Sequence, residues 1–281
     1  MKIDKILVAV IGVLVLAADS GSGQAAAFKP PSASEAMALV NKALAVRKPD
    51  EVTAVIRPGT MTPAEVVNAL QAISKVNGEP ISTSWLSSID KNGMSLEGVE
   101  VAYAGDGKKV KRLAFLTPDA KGVWKLDFPA FARLVQPAWK KLPADTETTL
   151  EVERVPSDPA QAWEKLLAGG KGTTGVVRVS VARDRYYNGP FQDEAVWAAY
   201  GMISPDMDAL LLGYCMRNSD LYRAMELMWA DDETQVVRAT LEIRRVEGGD
   251  RRQFQITRVL AEDWVMGDKP FDETVAASQV P

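Results

Sequence analysis

Apolar residues follow three different rhythms along this chain. The first is unbroken: residues 6–18 are apolar, with Lys2 and Lys5 ahead of them and Gln24, Ala25, Ala26 and Ala27 closing a short Gly/Ser stretch behind. A basic start, an apolar centre and small residues at the end are the pattern of a secretory signal. The run has 13 residues, whereas a membrane span needs about 20. The expected cut follows Ala27, with Ala25 at the third position back; a cut after Ala17 is the alternative, and Asp4 is atypical of the basic region. No Cys follows the run to accept a lipid anchor. The competing reading is an uncleaved signal anchor. The pattern therefore predicts an exported chain, periplasmic or secreted and soluble after cleavage. Later apolar runs, at 209–212 and 259–261, are far too short to cross a bilayer.

The second rhythm is helical. Ser34 can cap a helix over 34–46, with Met37, Val40 and Leu44 on one face. A shorter segment over 51–56 ends before Pro58 and Gly59. Thr62, Pro63 and Glu65 form the sharpest start signal, a capping box with proline in the first turn. Val66, Leu70 and Ile73 share the apolar face of that helix, and Asn77-Gly78 stops it.

After Pro80 the period becomes two. Ile81, Thr83 and Trp85 alternate with serines, Asn92-Gly93 signals a hairpin, and further strands are predicted at 99–103, 110–116 and 123–128. Helices followed by a four-stranded antiparallel meander make an α+β module over 28–142. A linker is predicted at 143–157, where Leu150, Glu151, Val152 and Glu153 alternate as a short edge strand would. Asp158-Pro159 then opens a short helix through 167. Strands are predicted at 176–185, 195–203 and 209–216, a helix from Ser219 to about 228, and a long hairpin pairing 235–246 with 253–260. This second module, 158–265, is mainly β with one internal helix; residues 266–281 read as a flexible tail.

Charge divides the chain in the same place. Residues 28–145 carry 16 basic and 12 acidic side chains, net +4; residues 146–281 carry 15 and 23, net −8. The basic residue is mostly Lys in the first part and mostly Arg in the second. With a formal charge of −4 over the whole chain, no global field draws it to nucleic acid or anionic lipid.

The chain has no histidine and one cysteine, Cys215. Ser-His-Asp and Cys-His nucleophiles are excluded, as are His-rich zinc sites. No cofactor or metal is implied, and Cys215 reads as a small buried hydrophobe. Gly169 to Gly175 looks like a phosphate loop, but a helix precedes it and a strand follows, the reverse of what a phosphate loop needs. Asp193/Glu194, Asp206/Asp208 and Asp231-Asp232-Glu233 lie beside turns and lack the spacing of a calcium loop.

Helices, then a meander closing on Gly122-Val123-Trp124-Lys125-Leu126-Asp127-Phe128, resemble the nuclear transport factor two-like cone superfamily over residues 34–142. The resemblance implies a cone-shaped α+β fold. Enzymes of that superfamily use an Asp–His or lone Asp site; with no histidine here, it implies a pocket at most. Trp85, Tyr103, Phe115 and Trp124 are the aromatics that could line it, or simply fill it. In the second module three strands, a helix and two strands are similar to an exported OB-fold domain. That resemblance directs attention to the loops between strands 1–2 and 4–5. The first holds Arg183, Arg185, Tyr186, Tyr187 and Phe191; the second holds Arg251 and Arg252, with Arg244 and Arg245 at its base. Trp197 and Tyr200 lie on the strand between. Aromatics supply stacking platforms and Arg supplies charge-assisted bonds. The module's −8 charge disfavours nucleic acid as the partner.

Three functions fit these features. The favoured one is a non-catalytic exported binding or interaction protein of the cell envelope, its partner an envelope protein or small ligand. The second is an OB-type binder of an oligosaccharide or oligonucleotide through the Arg/Tyr loops. The third is a His-free enzyme relying on a carboxylate inside the first module.

Overall fold

The computed structural model describes residues 28–91, 94–105, 108–133, 174–205, 210–229, 235–250 and 252–278. The signal pattern, the linker at 143–157, the helix expected through 167, most of the glycine loop and the acidic residues at 206, 208 and 231–233 lie outside the described residues.

Helix α1 spans Ala33–Leu44 and begins before the position the pattern predicts. Ser32 caps it, not Ser34. The Glu35 backbone N–H donates to Ser32 Oγ at 3.4 Å, and the Ser32 N–H donates to Glu35 Oε2 at 2.8 Å. The reciprocal box needs a Glu or Gln three residues after the capping hydroxyl, and Ser34 has Met37 in that place. The same chemistry starts α3 (Pro63–Asn77), where Thr62 and Glu65 exchange bonds of 2.7 and 3.3 Å. Gly78 ends it with φ +79, a conformation that favours glycine. Between them lie α2 (Pro49–Val55) and strand β1 (Ile56–Arg57).

Strands β2 (Pro80–Lys91), β3 (Met94–Gly105), β4 (Lys108–Pro118) and β5 (Trp124–Asp127) form the expected meander. The sheet has a fifth member, because β1 adds to β5 in parallel with Ile56 opposite Leu126, giving the order β1-β5-β4-β3-β2. Val99, Val101, Tyr103, Ala114, Leu116 and Leu126 face the helices and pack with Val40, Val52, Leu70 and Ile73. A short α4 (Phe128–Phe131) follows β5, capped by Asp127, which accepts from the Ala130 N–H at 2.9 Å.

The second sheet closes on itself. β6 (Thr174–Asp184), β7 (Trp197–Ile203), β8 (Leu210–Met216), β9 (Val237–Arg245) and β10 (Gln253–Ala261) form a barrel in the order β10-β8-β7-β6-β9. β8 and β10 pair in parallel and the other pairs are antiparallel. The strands alternate as barrel strands must: Val177, Val179, Val181, Tyr200, Met202, Leu241, Ile243 and Ile256 fill the interior. Helix α5 (Asp220–Leu227) connects β8 to β9 and contributes Ala224 and Met225 to that core, with Trp229 just beyond it.

The segment from residue 266 departs from the expected tail. It carries α6 (Phe271–Ala277), whose Phe271 and Val275 join the barrel core, while Asp272 grips Arg258 through bonds of 2.7 and 2.9 Å. Just before it, Asp263 to Met266 wedge between the two modules. Trp264 meets Phe115 edge-on at 6.4 Å and packs with Leu96, Ala130 and Val265. Its indole N–H donates to the Val179 carbonyl at 3.0 Å, and its own carbonyl accepts from Arg178 Nε at 2.8 Å. Arg238 chelates the Asp263 carboxylate and lies over both rings. Burial pushes Asp127 above the usual carboxylate range against the pull of Arg178, and burial likewise brings Arg178 down to about 10.

Candidate functional site

One open cleft of about 500 Å³ lies on the barrel between the β6–β7 loop and α5. The register brings its strand residues together: Arg183 of β6 pairs with Tyr200 of β7. Ser219 caps α5 by accepting from the Tyr222 N–H at 3.1 Å. Tyr222 and Glu226, four residues apart, then share one face of the helix and both line the cleft.

Two polar groupings face each other there. In the first, Glu226 accepts from Arg183 at 2.8 Å and from the Tyr200 hydroxyl at 3.1 Å, while the Arg183 guanidinium lies 5.2 Å from the Trp229 ring centre. Burial raises the Tyr200 hydroxyl far above its ordinary value, with Cys215 and Glu226 adding to the shift. That hydroxyl is therefore a fixed donor. In the second grouping, Arg217 donates through Nε to the Glu194 carbonyl at 2.8 Å and to the Tyr187 and Tyr222 hydroxyls at 3.0 and 3.5 Å.

Of the residues expected to form a ligand patch, Arg183, Arg185 and Tyr187 line this cleft. Tyr186 is exposed beside it, its hydroxyl accepting from Asn188 and its carbonyl from the Tyr214 hydroxyl. Phe191 is a correction: it is 1% exposed, stacked on Tyr214 at 4.0 Å and edge-on to Trp197 at 4.9 Å. The β6–β7 loop folds across the outer face of β7 and β8 and buries Phe191 there with Ala199 and Leu212. An apolar outer surface on two adjacent strands needs a cover, and the loop supplies it. Arg252 is exposed on the other loop and does not line the cleft; Arg251 lies outside the described residues. Arg244 bonds Gln255, and Arg245 lies 4.7 Å from the Phe254 ring centre. The two loops do meet, because Gln253 Nε2 donates both to the Asn188 carbonyl and to the Tyr214 hydroxyl at 3.1 Å.

The four aromatics of the first module do not share a pocket. Tyr103 and Trp124 belong to the helix-side core, whereas Phe115 points to the opposite face of the sheet against Trp264. The register is the reason: Val99, on the helix side, pairs with Ala114, so the next residue on β4 faces away. Trp85 stays 40% exposed and donates to the buried Glu97 carboxylate at 2.8 Å, which also accepts from Ser88. Glu97 thus acts as a hydrogen-bonded core carboxylate.

Cys215 is buried in the barrel, and burial pushes its thiol up to about 12. Asp193 caps its own turn through Ala195. Among the described residues no group of three or more His, Cys, Asp or Glu could hold a metal ion, and no helix is long and apolar enough to cross a membrane.

Sequence reading alone missed Arg217, Tyr222 and Glu226. The cap at Ser219 was the available signal, since it sets which helix face follows. No family model, curated protein or solved structure matches this chain.

Proposed function

We propose that this chain is an exported, non-catalytic two-module protein of the cell envelope that binds a small polar ligand in the barrel cleft, with the first module as its docking body. The observation that carries the reading is the cleft itself: about 500 Å³, within the range of small-molecule sites, and lined by Arg and Tyr side chains already held in place by hydrogen bonds. The non-catalytic part rests on Glu226. Its carboxylate is engaged on one oxygen by the Arg183 guanidinium and on the other by the Tyr200 hydroxyl. Export rests on the signal pattern of residues 1–27.

An OB-like reading of the barrel is supported by the strand order, the parallel β8–β10 pair and the helix after the third strand. A cone-like reading of the first module is supported by helices gathered on one face of the meander. Within the OB-like reading, the usual ligand face of the second and third strands is covered by Phe191 and its loop. That cover removes the stacking platform an oligonucleotide would use, and moves the site to the neighbouring cleft.

The test is calorimetric titration of the full chain with a panel of oligosaccharides, short peptides and polar metabolites, repeated with Tyr222→Ala. Saturable binding that the variant loses supports the reading. Absence of binding across the panel ends it.

A further inference from the structure

We propose that the ligand of this cleft carries a carboxylate or phosphate group, held between Arg217 and Arg185; the proposal rests on the reading of the cleft as a binding site. A guanidinium has five N–H donors. Arg217 uses three of them, on the Glu194 carbonyl and the Tyr187 and Tyr222 hydroxyls, and two have no partner among the described residues. None of its partners is an acid. Four other arginines of the barrel do have one: Arg183 pairs with Glu226, Arg223 with Asp220, Arg238 with Asp263 and Arg258 with Asp272.

Arg185, on the same cleft, has no ion pair among the described residues either. Its backbone N–H and that of Tyr186 both donate to Asp184 Oδ1, at 2.6 and 3.0 Å, which fixes the loop from which its side chain projects. Two guanidiniums without acidic partners therefore face one cavity. One of them is immobilised before any ligand arrives, so little side-chain freedom is lost on binding. A carboxylate or phosphate oxygen pair fits a guanidinium bidentately, which an ammonium cannot reproduce.

The lining also limits the ligand's charge. Arg183, Arg185 and Arg217 stand against Asp184, Glu194 and Glu226, so the cleft is close to neutral overall. A polyanion gains nothing from such a field, whereas a single anionic group on a neutral, polar body can sit on the two arginines that lack acidic partners. The Tyr187 and Tyr222 rings beside Arg217 suit a body the size of one or two sugar rings or residues.

The experiment is calorimetric titration of the full chain with matched pairs: a galacturonate disaccharide and its methyl ester, an N-acetyl dipeptide and its amide, glucose 6-phosphate and glucose. The acidic member of at least one pair should bind about tenfold or more tightly than its neutral partner, the scale of a charge-assisted bond. Which pair responds distinguishes a carboxylate from a phosphate source. Arg217→Ala should abolish the preference and Arg217→Lys should weaken it about tenfold. Arg185→Ala, at an exposed position with no ion pair among the described residues, should weaken binding without lowering Tm. Equal binding of acidic and neutral members overturns the anion proposal and leaves the cleft reading standing. No binding by any member, together with an empty wider panel, overturns both. Acid binding untouched by either Arg variant places the anion elsewhere and also overturns the proposal.

Discussion

Replacing Trp264 by Ala should do more damage than its place after the last barrel strand suggests. The side chain is 4% exposed, meets Phe115 edge-on at 6.4 Å and donates to the Val179 carbonyl at 3.0 Å. Arg238 also loses one of its two rings. Truncating a buried aromatic of this kind costs about 3–5 kcal/mol. At roughly 2–4 °C per kcal/mol for a chain of this size, Tm should fall by roughly 6–20 °C. The packing removed joins the two modules, so the change should also appear in cooperativity. Differential scanning calorimetry of Trp264→Ala should show the transition broadening or splitting, and urea curves by tryptophan fluorescence and far-UV circular dichroism should cease to coincide. Val76→Ala, at 70% exposure, is the control and should cost under about 1 kcal/mol. A single sharp transition in Trp264→Ala, shifted no further than in Val76→Ala, would refute the wedge.

Three further outcomes follow from burial. Phe191→Ala should destabilise the barrel by about 3 kcal/mol or more in urea unfolding, because it removes a core stack and not a ligand platform; a variant as stable as wild type would return Phe191 to the surface patch. Cys215 and Tyr103 both have proton affinities raised by burial, to about 12. In the unfolded chain these groups ionise near their ordinary values, so the stability they contribute is complete below about pH 8 and is lost as pH rises toward 12. Unfolding free energy should fall across that window. At pH 8 the Cys215 thiol should resist a disulfide reagent until denaturant is added, and rapid labelling of the native protein would contradict its place inside the barrel.

Much of the architecture was legible in local chemistry. The Thr62–Glu65 box, the meander after Pro80 and the long hairpin after 235 stand close to where their patterns put them. What was missed has common physical causes. On β4, Leu113 and Phe115 are apolar on one face, and Ala114 and Leu116 on the other. Such a strand must be covered twice, but periodicity cannot name the second cover. Here it is Trp264, which lies past the last barrel strand at the very end of the second module. Phe191 is deceptive for the same reason: an aromatic in a loop looks alike in sequence whether it waits for a ligand or packs on its own barrel. The cleft was half legible. Arg183, Arg185 and Tyr187 came from loop position, whereas Arg217, Tyr222 and Glu226 needed the three-dimensional approach of α5 to that loop.

The wedge also sets an order in time. Leu96, Leu113 and Phe115 are made early, yet the residues that cover them, 263–266, come after every strand of both sheets. While the chain emerges from the ribosome, the first module can close its helix-side core on its own, but its other face has only Ala130 to cover it until the segment after β10 has been made. The segment that follows the last barrel strand is thus what completes the first module, and a chain halted before it would carry an apolar sheet face open to any holding partner it meets.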